Sequence, residues 1–276
     1  MLIRTGAVYQ AFKYSIYALL AVNTGHFFFE NLAGAGFTHR DGLDPGDIIV
    51  AYTDAIDTAA WLVLLVLLEL ETWVIPDAKL KGRLDLLIGG LSFLCWIVIL
   101  YAFYGYAATL GVPYGFAPYS GPDPCALVGR GASFAKSLAD YAPLDTNNCA
   151  ALASGAYYSA GDTMFTTPEN LSLIKRLAWT DVVNAGTWVV IVVILELEIY
   201  LKSSRLFGTK VFFAYKTFKL LLYGVLVVNT LYWRMLGEPW AAWDALLWLA
   251  AFFFIEMNVL SRQEESAKLR TVGAVE

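Results

Sequence analysis

Hydrophobic positions gather into six long stretches with polar shoulders, near 15–29, 59–75, 86–111, 186–200, 218–236 and 241–260. With its shoulders, each reaches the roughly 20 residues that a helix needs to cross a bilayer. Helices also satisfy their own backbone hydrogen bonds where a lipid interior cannot. The pattern predicts an all-α integral membrane protein of six transmembrane helices, one membrane domain over 1–276. Between the third and fourth stretches lies an insertion rich in Gly, Pro, Ser, Ala and Tyr, 112–170, predicted as a long outer loop.

Two stretches carry nearly the same phrase. DAIDTAAWLVLLVLLELE (54–71) aligns without a gap on DVVNAGTWVVIVVILELE (181–198), and DALLWLAAFFFIEMN (244–258) fits the same frame. The shared positions are Asp57, Trp61, Glu69 and Glu71, then Asn184, Trp188, Glu196 and Glu198, then Asp244, Trp248, Glu256 and Asn258. A second pair, YQAFKYSIYALLAVNT (9–24) and YKTFKLLLYGVLVVNT (215–230), sets Lys13 beside Lys219 and Asn23 beside Asn229. Arg83 takes the lysine position in a degenerate middle copy. The repeat predicts three parallel two-helix units, 9–76, 80–201 and 211–262, about a pseudo-threefold axis along the membrane normal. A cytoplasmic tail, 263–276, follows.

At about 100° per residue, Asp57, Trp61 and Glu71 share one helical face, with Asp54 at its edge and Glu69 flanking it. Asp181, Asn184, Trp188 and Glu198 repeat that face, as do Asp244, Trp248 and Asn258. A carboxylate in lipid costs about 3 kcal/mol or more, so these faces are predicted to point into protein or water. One reading makes Glu69, Glu196 and Glu256 an inner acidic ring below an outer mouth of Asp54, Asp57, Asp181 and Asp244. The chain is then a channel or carrier for a cation, proton or small polar solute. The other pairs Lys13, Lys219 and Arg83 with the glutamates in buried ion pairs that set helix register, with Asn23 and Asn229 bonding between helices. The chain is then a non-catalytic membrane subunit or scaffold of a larger or homo-oligomeric membrane complex.

Composition agrees with a membrane class: 58% hydrophobic, 15% aromatic and a mean hydropathy of +0.57. Putting both termini in the cytoplasm places most of the 19 Lys and Arg inside, as the positive-inside rule requires. This predicts an inner (plasma) membrane protein with the bilayer as partner and 112–170 outside. The first stretch lacks a small-x-small site, so no cleavable signal peptide is predicted. Cys125 and Cys149 then face an oxidising compartment and read as a disulfide, free thiols being the alternative. Cys95 lies in the apolar third stretch.

The remaining chemistry is mostly exclusion. Only His26 and His39 are available for haem or metal, and neither Glu-x-x-His nor CxxC pairs occur. No GxGxxG, Walker A, GxSxG or HExxH motif has a suitable context, and no activated nucleophile is visible. No catalytic residue, metal, cofactor or nucleic-acid partner is therefore predicted. The plan of three tandem two-helix units resembles that of mitochondrial carriers, but their Px[DE]xx[KR] signature is absent from the odd helices, so nothing carries over.

Overall fold

Each long apolar run becomes a helix. The computed structural model describes residues 7–39, 42–75, 81–159, 164–202 and 209–272. The helices are α1 (Ala7–Thr38), the short α2 (Ile48–Ala51), α3 (Thr53–Glu69), α4 (Arg83–Thr109), α5 (Pro168–Lys202), α6 (Thr209–Leu236) and α7 (Pro239–Val272). Their ends follow local chemistry. Proline opens α5 and α7, where its missing N–H would have no helical partner anyway. Gly237, at φ +89°, closes α6 in the left-handed conformation that glycine adopts without a Cβ clash. The end of α3 widens into a π-helical turn, Leu70–Val74, where Ile75 N–H donates to Leu70 O at 2.8 Å.

Long helices next to each other in sequence pack together, and α7 returns to pack on α1. One continuous core runs between them, with Leu20, Trp61, Ile99, Trp188, Leu226 and Phe252 among its members. Burying each such side chain is worth about 1.5–3 kcal/mol, so this shared core dominates stability.

The insertion folds as five short strands: β1 (Phe116–Pro118), β2 (Ser133–Ala135), β3 (Tyr141–Pro143), β4 (Tyr157–Ser159) and β5 (Met164–Thr166). They lie in the order β1-β4-β5-β2-β3, antiparallel except for β2 with β5. The central strands β2 and β5 are wholly buried. Cys125 and Cys149 form a disulfide with Cα atoms 5.2 Å apart, beside a small core of Phe134, Leu144, Leu152 and Phe165. Tyr141 of β3 stacks on Phe37 of α1, which ties the sheet to the helices.

This architecture corrects the membrane topology expected from the pattern. Among the described residues three helices, not six, are long and apolar enough to cross a membrane: Arg83–Tyr114, Pro168–Leu195 and Pro239–Met257. The helix α3 has only 17 residues, Tyr, Asn and His dilute α1, and Lys and Tyr dilute α6. The six-transmembrane-helix fold class therefore does not stand. Neither does the multi-pass inner-membrane placement with cytoplasmic termini, nor the lipid bilayer as partner, because both depended on six crossings.

The threefold arrangement of two-helix units does not stand either. The most extensive helix interface joins α3 to α4, across the expected boundary between the first two units, and α5 packs on α6 across the next. The long outer loop is a folded sheet. The expected partner membrane subunits or membrane homo-oligomer fall with the six crossings, and the helices of the single chain share one packed core. The result is a tightly packed helical domain bearing a small sheet.

Candidate functional site

Two polar layers lie at opposite ends of the helical core. In the first, Lys13 is fully buried and pairs with Glu69, which also accepts hydrogen bonds from the hydroxyls of Tyr14 and Tyr17, each at 3.3 Å. In matching register, Lys219 Nζ lies 2.7 Å from Glu256 Oε1, and the Tyr223 hydroxyl donates to the same oxygen at 2.6 Å. This second pair is partly exposed. The pairs join α1 to α3 and α6 to α7. Arg83 is exposed at the first residue of α4, and Glu71 is half-buried in the π-helical turn. The side chains of Glu196, Glu198 and Asn258 lie outside the described residues.

The second layer gathers aspartates from three helices. Asp54 and Asp57 come from the start of α3, Asp181 from α5 and Asp244 from α7, and Asn184 joins them. Every one of these carboxylates has a protein donor. Asn31 Nδ2 donates to Asp54 at 3.1 Å, the Tyr106 hydroxyl to Asp57 at 3.4 Å, Trp233 Nε1 to Asp181 at 3.0 Å and Asn23 Nδ2 to Asp244 at 3.0 Å. Asn229, the counterpart of Asn23 in the second helix family, has a buried Nδ2 with no hydrogen-bond partner among the described residues.

Two cavities meet at this layer. The inner chamber, about 80 Å³, has the four aspartates and Asn184 on its walls together with the indoles of Trp61, Trp188, Trp233 and Trp248. The outer cavity, about 290 Å³, shares Asp54, Asp181, Tyr106 and Trp233 with it and continues between helices and sheet to Glu30, Glu238, Trp240 and Tyr141. The aspartates are enclosed by protein, yet retain accessible surface because that surface faces the cavities. Among the described residues, no Lys or Arg lines either cavity.

Enclosure raises the proton affinity of these carboxyl groups. Burial, then the neighbouring charge of Asp54, pushes the Asp57 carboxyl up to about 8, although hydrogen bonds from Trp61 and Tyr106 oppose the shift. Burial also lifts Glu30 to about 7, with Asp54 and Glu238 adding to it. Asp54 rises as well, again through burial, against the hydrogen bonds of Asn31 and Tyr106.

An aromatic floor separates this layer from the Lys–Glu layer. The Trp188 and Phe252 rings are 4.4 Å apart, Trp61 and Phe252 6.0 Å, and Trp61 and Trp248 6.4 Å. Trp61 and Glu69 are about 12 Å apart along the helix axis, and packed rings and aliphatic side chains fill that distance. A channel or carrier with a continuous acidic lane is therefore overturned, and transport with it. The alternative of a membrane subunit or scaffold falls with the six-crossing topology. No protein family, curated protein or solved structure matches the chain.

The repeat pattern missed several residues of the cavities, among them Glu30, Tyr106, Trp233, Glu238 and Trp240. These five lie outside the aligned frames. Glu30 had a legible signal, a carboxylate after three phenylalanines and seven residues beyond Asn23, hence on the same helical face. Tyr106 and Trp233 carry no such mark in apolar, aromatic-rich helices.

Proposed function

We propose that this chain is a ligand-binding protein whose ligand is a small organic cation held where the helices meet the sheet. The observation that supports this is a set of carboxyl groups with no Lys or Arg beside them among the described residues, His39 being the basic side chain on the cavity wall. Glu30, Asp54, Asp181 and Glu238 line one cavity, and no Lys or Arg among the described residues lines it. Buried carboxylates are tolerated when paired or protonated, and a bound cation supplies the missing partner.

The walls suit such a ligand in a second way. Trp233, Trp240, Tyr106 and Tyr141 present aromatic rings to the same space, and a desolvated cation over such a ring gains about 0.5–2 kcal/mol. The volume, about 290 Å³, stands at the lower edge of the roughly 300–1,000 Å³ usual for small-molecule pockets. In this reading Asp54 and Asp181 supply charge to both cavities, and Asn31 positions Asp54.

Isothermal titration calorimetry with ethanolamine, choline and putrescine, at pH 8.5 and low salt, tests the proposal. At least one should bind saturably, with affinity reduced about tenfold in Asp54→Asn, a loss of about 1.4 kcal/mol. Added salt should weaken binding too. Absence of binding by all three, or affinities unchanged in both Asp54→Asn and Asp181→Asn, refutes it.

A further inference from the structure

We propose that the inner chamber receives a quaternary ammonium head group, a nitrogen carrying methyl groups and no N–H, while the remainder of the ligand occupies the outer cavity. This inference rests on the cation-binding reading above and adds the chemical class of the head group.

The first argument is charge. Asp54, Asp57, Asp181 and Asp244 line the chamber, and no Lys or Arg among the described residues does. Each already accepts at least one side-chain hydrogen bond, Asp181 from Trp233, Asp57 from Tyr106, Asp244 from Asn23 and Asp54 from Asn31. The lining also includes Asn184, whose buried Oδ1 has no hydrogen-bond partner among the described residues. A quaternary ammonium provides charge and asks for no hydrogen bond.

The second argument is the shape and chemistry of the walls. Trp61, Trp188, Trp233 and Trp248 all line the chamber, with Phe252 beside them. The rings are set at angles rather than stacked: Trp61 is inclined by 63° to Trp248 and by 68° to Phe252, and Trp188 by 38° to Phe252. Trp61, Trp188, Trp248 and Phe252 pack on one another as one wall of the chamber, and indole is the strongest of the aromatic side chains in attracting a cation. Methyl groups on nitrogen meet such faces at van der Waals distance, whereas an ammonium N–H stripped of water would lose hydrogen bonds against them. The size agrees. At about 80 Å³ the chamber is several times the roughly 10–15 Å³ that a single water needs.

The third argument is continuity. Asp54, Asp181, Tyr106 and Trp233 line both cavities, so a head group in the chamber leaves its substituent directed toward the sheet. There Glu30, Glu238, Thr38 and Thr109 offer polar contacts, and Thr109 Oγ1 is buried without a hydrogen-bond partner among the described residues. A hydroxyl-bearing substituent suits that environment.

The test is calorimetric titration of the wild-type chain at pH 8.5 with four amines that differ only in methylation: ethanolamine, N-methylethanolamine, N,N-dimethylethanolamine and choline. The neutral isostere 3,3-dimethyl-1-butanol completes the set. Affinity should rise along the series, with choline about tenfold or more above ethanolamine, and the neutral isostere should not bind. Trp188→Phe and Trp248→Phe keep a ring in the wall while weakening its attraction for a cation, so each should compress the choline preference and leave ethanolamine nearly unchanged. Far-UV circular dichroism identifies a misfolded variant, and the wild-type series decides the proposal without either variant. A flat or falling series overturns the head-group assignment while leaving the cation-binding reading in place. Equal affinity for choline and its neutral isostere, or no binding by any amine, overturns both.

Discussion

Replacing Lys13 with Met should be among the most destabilising single changes in the helical core. Lys13 is 0% exposed and its partner Glu69 only 8%, so the substitution strands a carboxylate away from water. Severing a buried ion pair in this way costs about 3–5 kcal/mol. The lower part of that range is expected, since Tyr14 and Tyr17 still donate to Glu69. For a domain of this size each kcal/mol moves the melting temperature by about 2–3 °C, so the loss should be roughly 6–10 °C. The equivalent change at Lys219 provides the internal control. That pair is 18% and 27% exposed, and water screens what remains, so Lys219→Met should cost about 1 kcal/mol. The double variant Lys13→Met, Glu69→Leu removes both charges and should recover most of the loss, because apolar replacement of a whole buried pair is often neutral. Thermal unfolding followed by far-UV circular dichroism measures all four proteins. Equal losses at Lys13 and Lys219, or a double variant no better than Lys13→Met alone, would refute the reasoning.

Three further outcomes follow from the geometry. The Asp57 carboxyl titrates near 8 in the folded chain, far above its unfolded value. The folded state therefore binds the proton more tightly, and the stability gained is complete below about pH 4 and lost as pH rises through 8. Asp57→Asn should flatten that limb of a pH–stability curve, and an unchanged slope would contradict the assignment. Replacing Cys125 and Cys149 with Ser should cost about 3 kcal/mol, given the 24-residue separation. Amide hydrogen exchange should show the loss in β2 and β5 before it reaches the helices. Gly105→Ala would set a Cβ 2.7 Å from Thr53 Oγ1 and 3.1 Å from Ile49 O, overpacking this junction by about 1–3 kcal/mol. Gly89→Ala on the same helix meets nothing within 4 Å and should be neutral or gain up to about 1 kcal/mol. Chemical denaturation of the two variants compares them directly.

Several of these features were legible in the sequence because they are local or periodic. Helices can be read from apolar runs, and the shared register of Lys13, Tyr17 and Glu69 with Lys219, Tyr223 and Glu256 marks residues that meet in pairs. Other features depend on contacts that no local pattern carries. The strands are three residues each, too short to show alternation, and β1 pairs with β4 across the disulfide-bonded segment: Phe116 lies opposite Ser159. The helix α5 begins at Pro168, earlier than the apolar run suggests, because ENLSLIKRLAW is amphipathic and buries Leu171, Ile174 and Leu177 on one face. The repeat frame placed Asp57, Asn184 and Asp244 in equivalent positions. It said nothing of Glu30 or Glu238, which line the outer cavity with Asp54 and Asp181 from α1 and from the turn after Gly237.

The hydrogen bond from Asn23 to Asp244 joins the first long helix to the last, and it bears on the order in which a ribosome releases the chain. Lys13 meets Glu69 after 56 residues of separation, so this half of the charged layer can form early, while the Lys219–Glu256 half waits for the seventh helix. The aspartate layer has to wait for the seventh helix, 221 residues after Asn23. Until then Asn23 has no carboxylate to bind, and the indole of Trp248 is missing from the chamber wall. Nascent chains can therefore form the Lys13–Glu69 pair early, but the chamber becomes whole only once Asp244, Trp248 and Phe252 have been made.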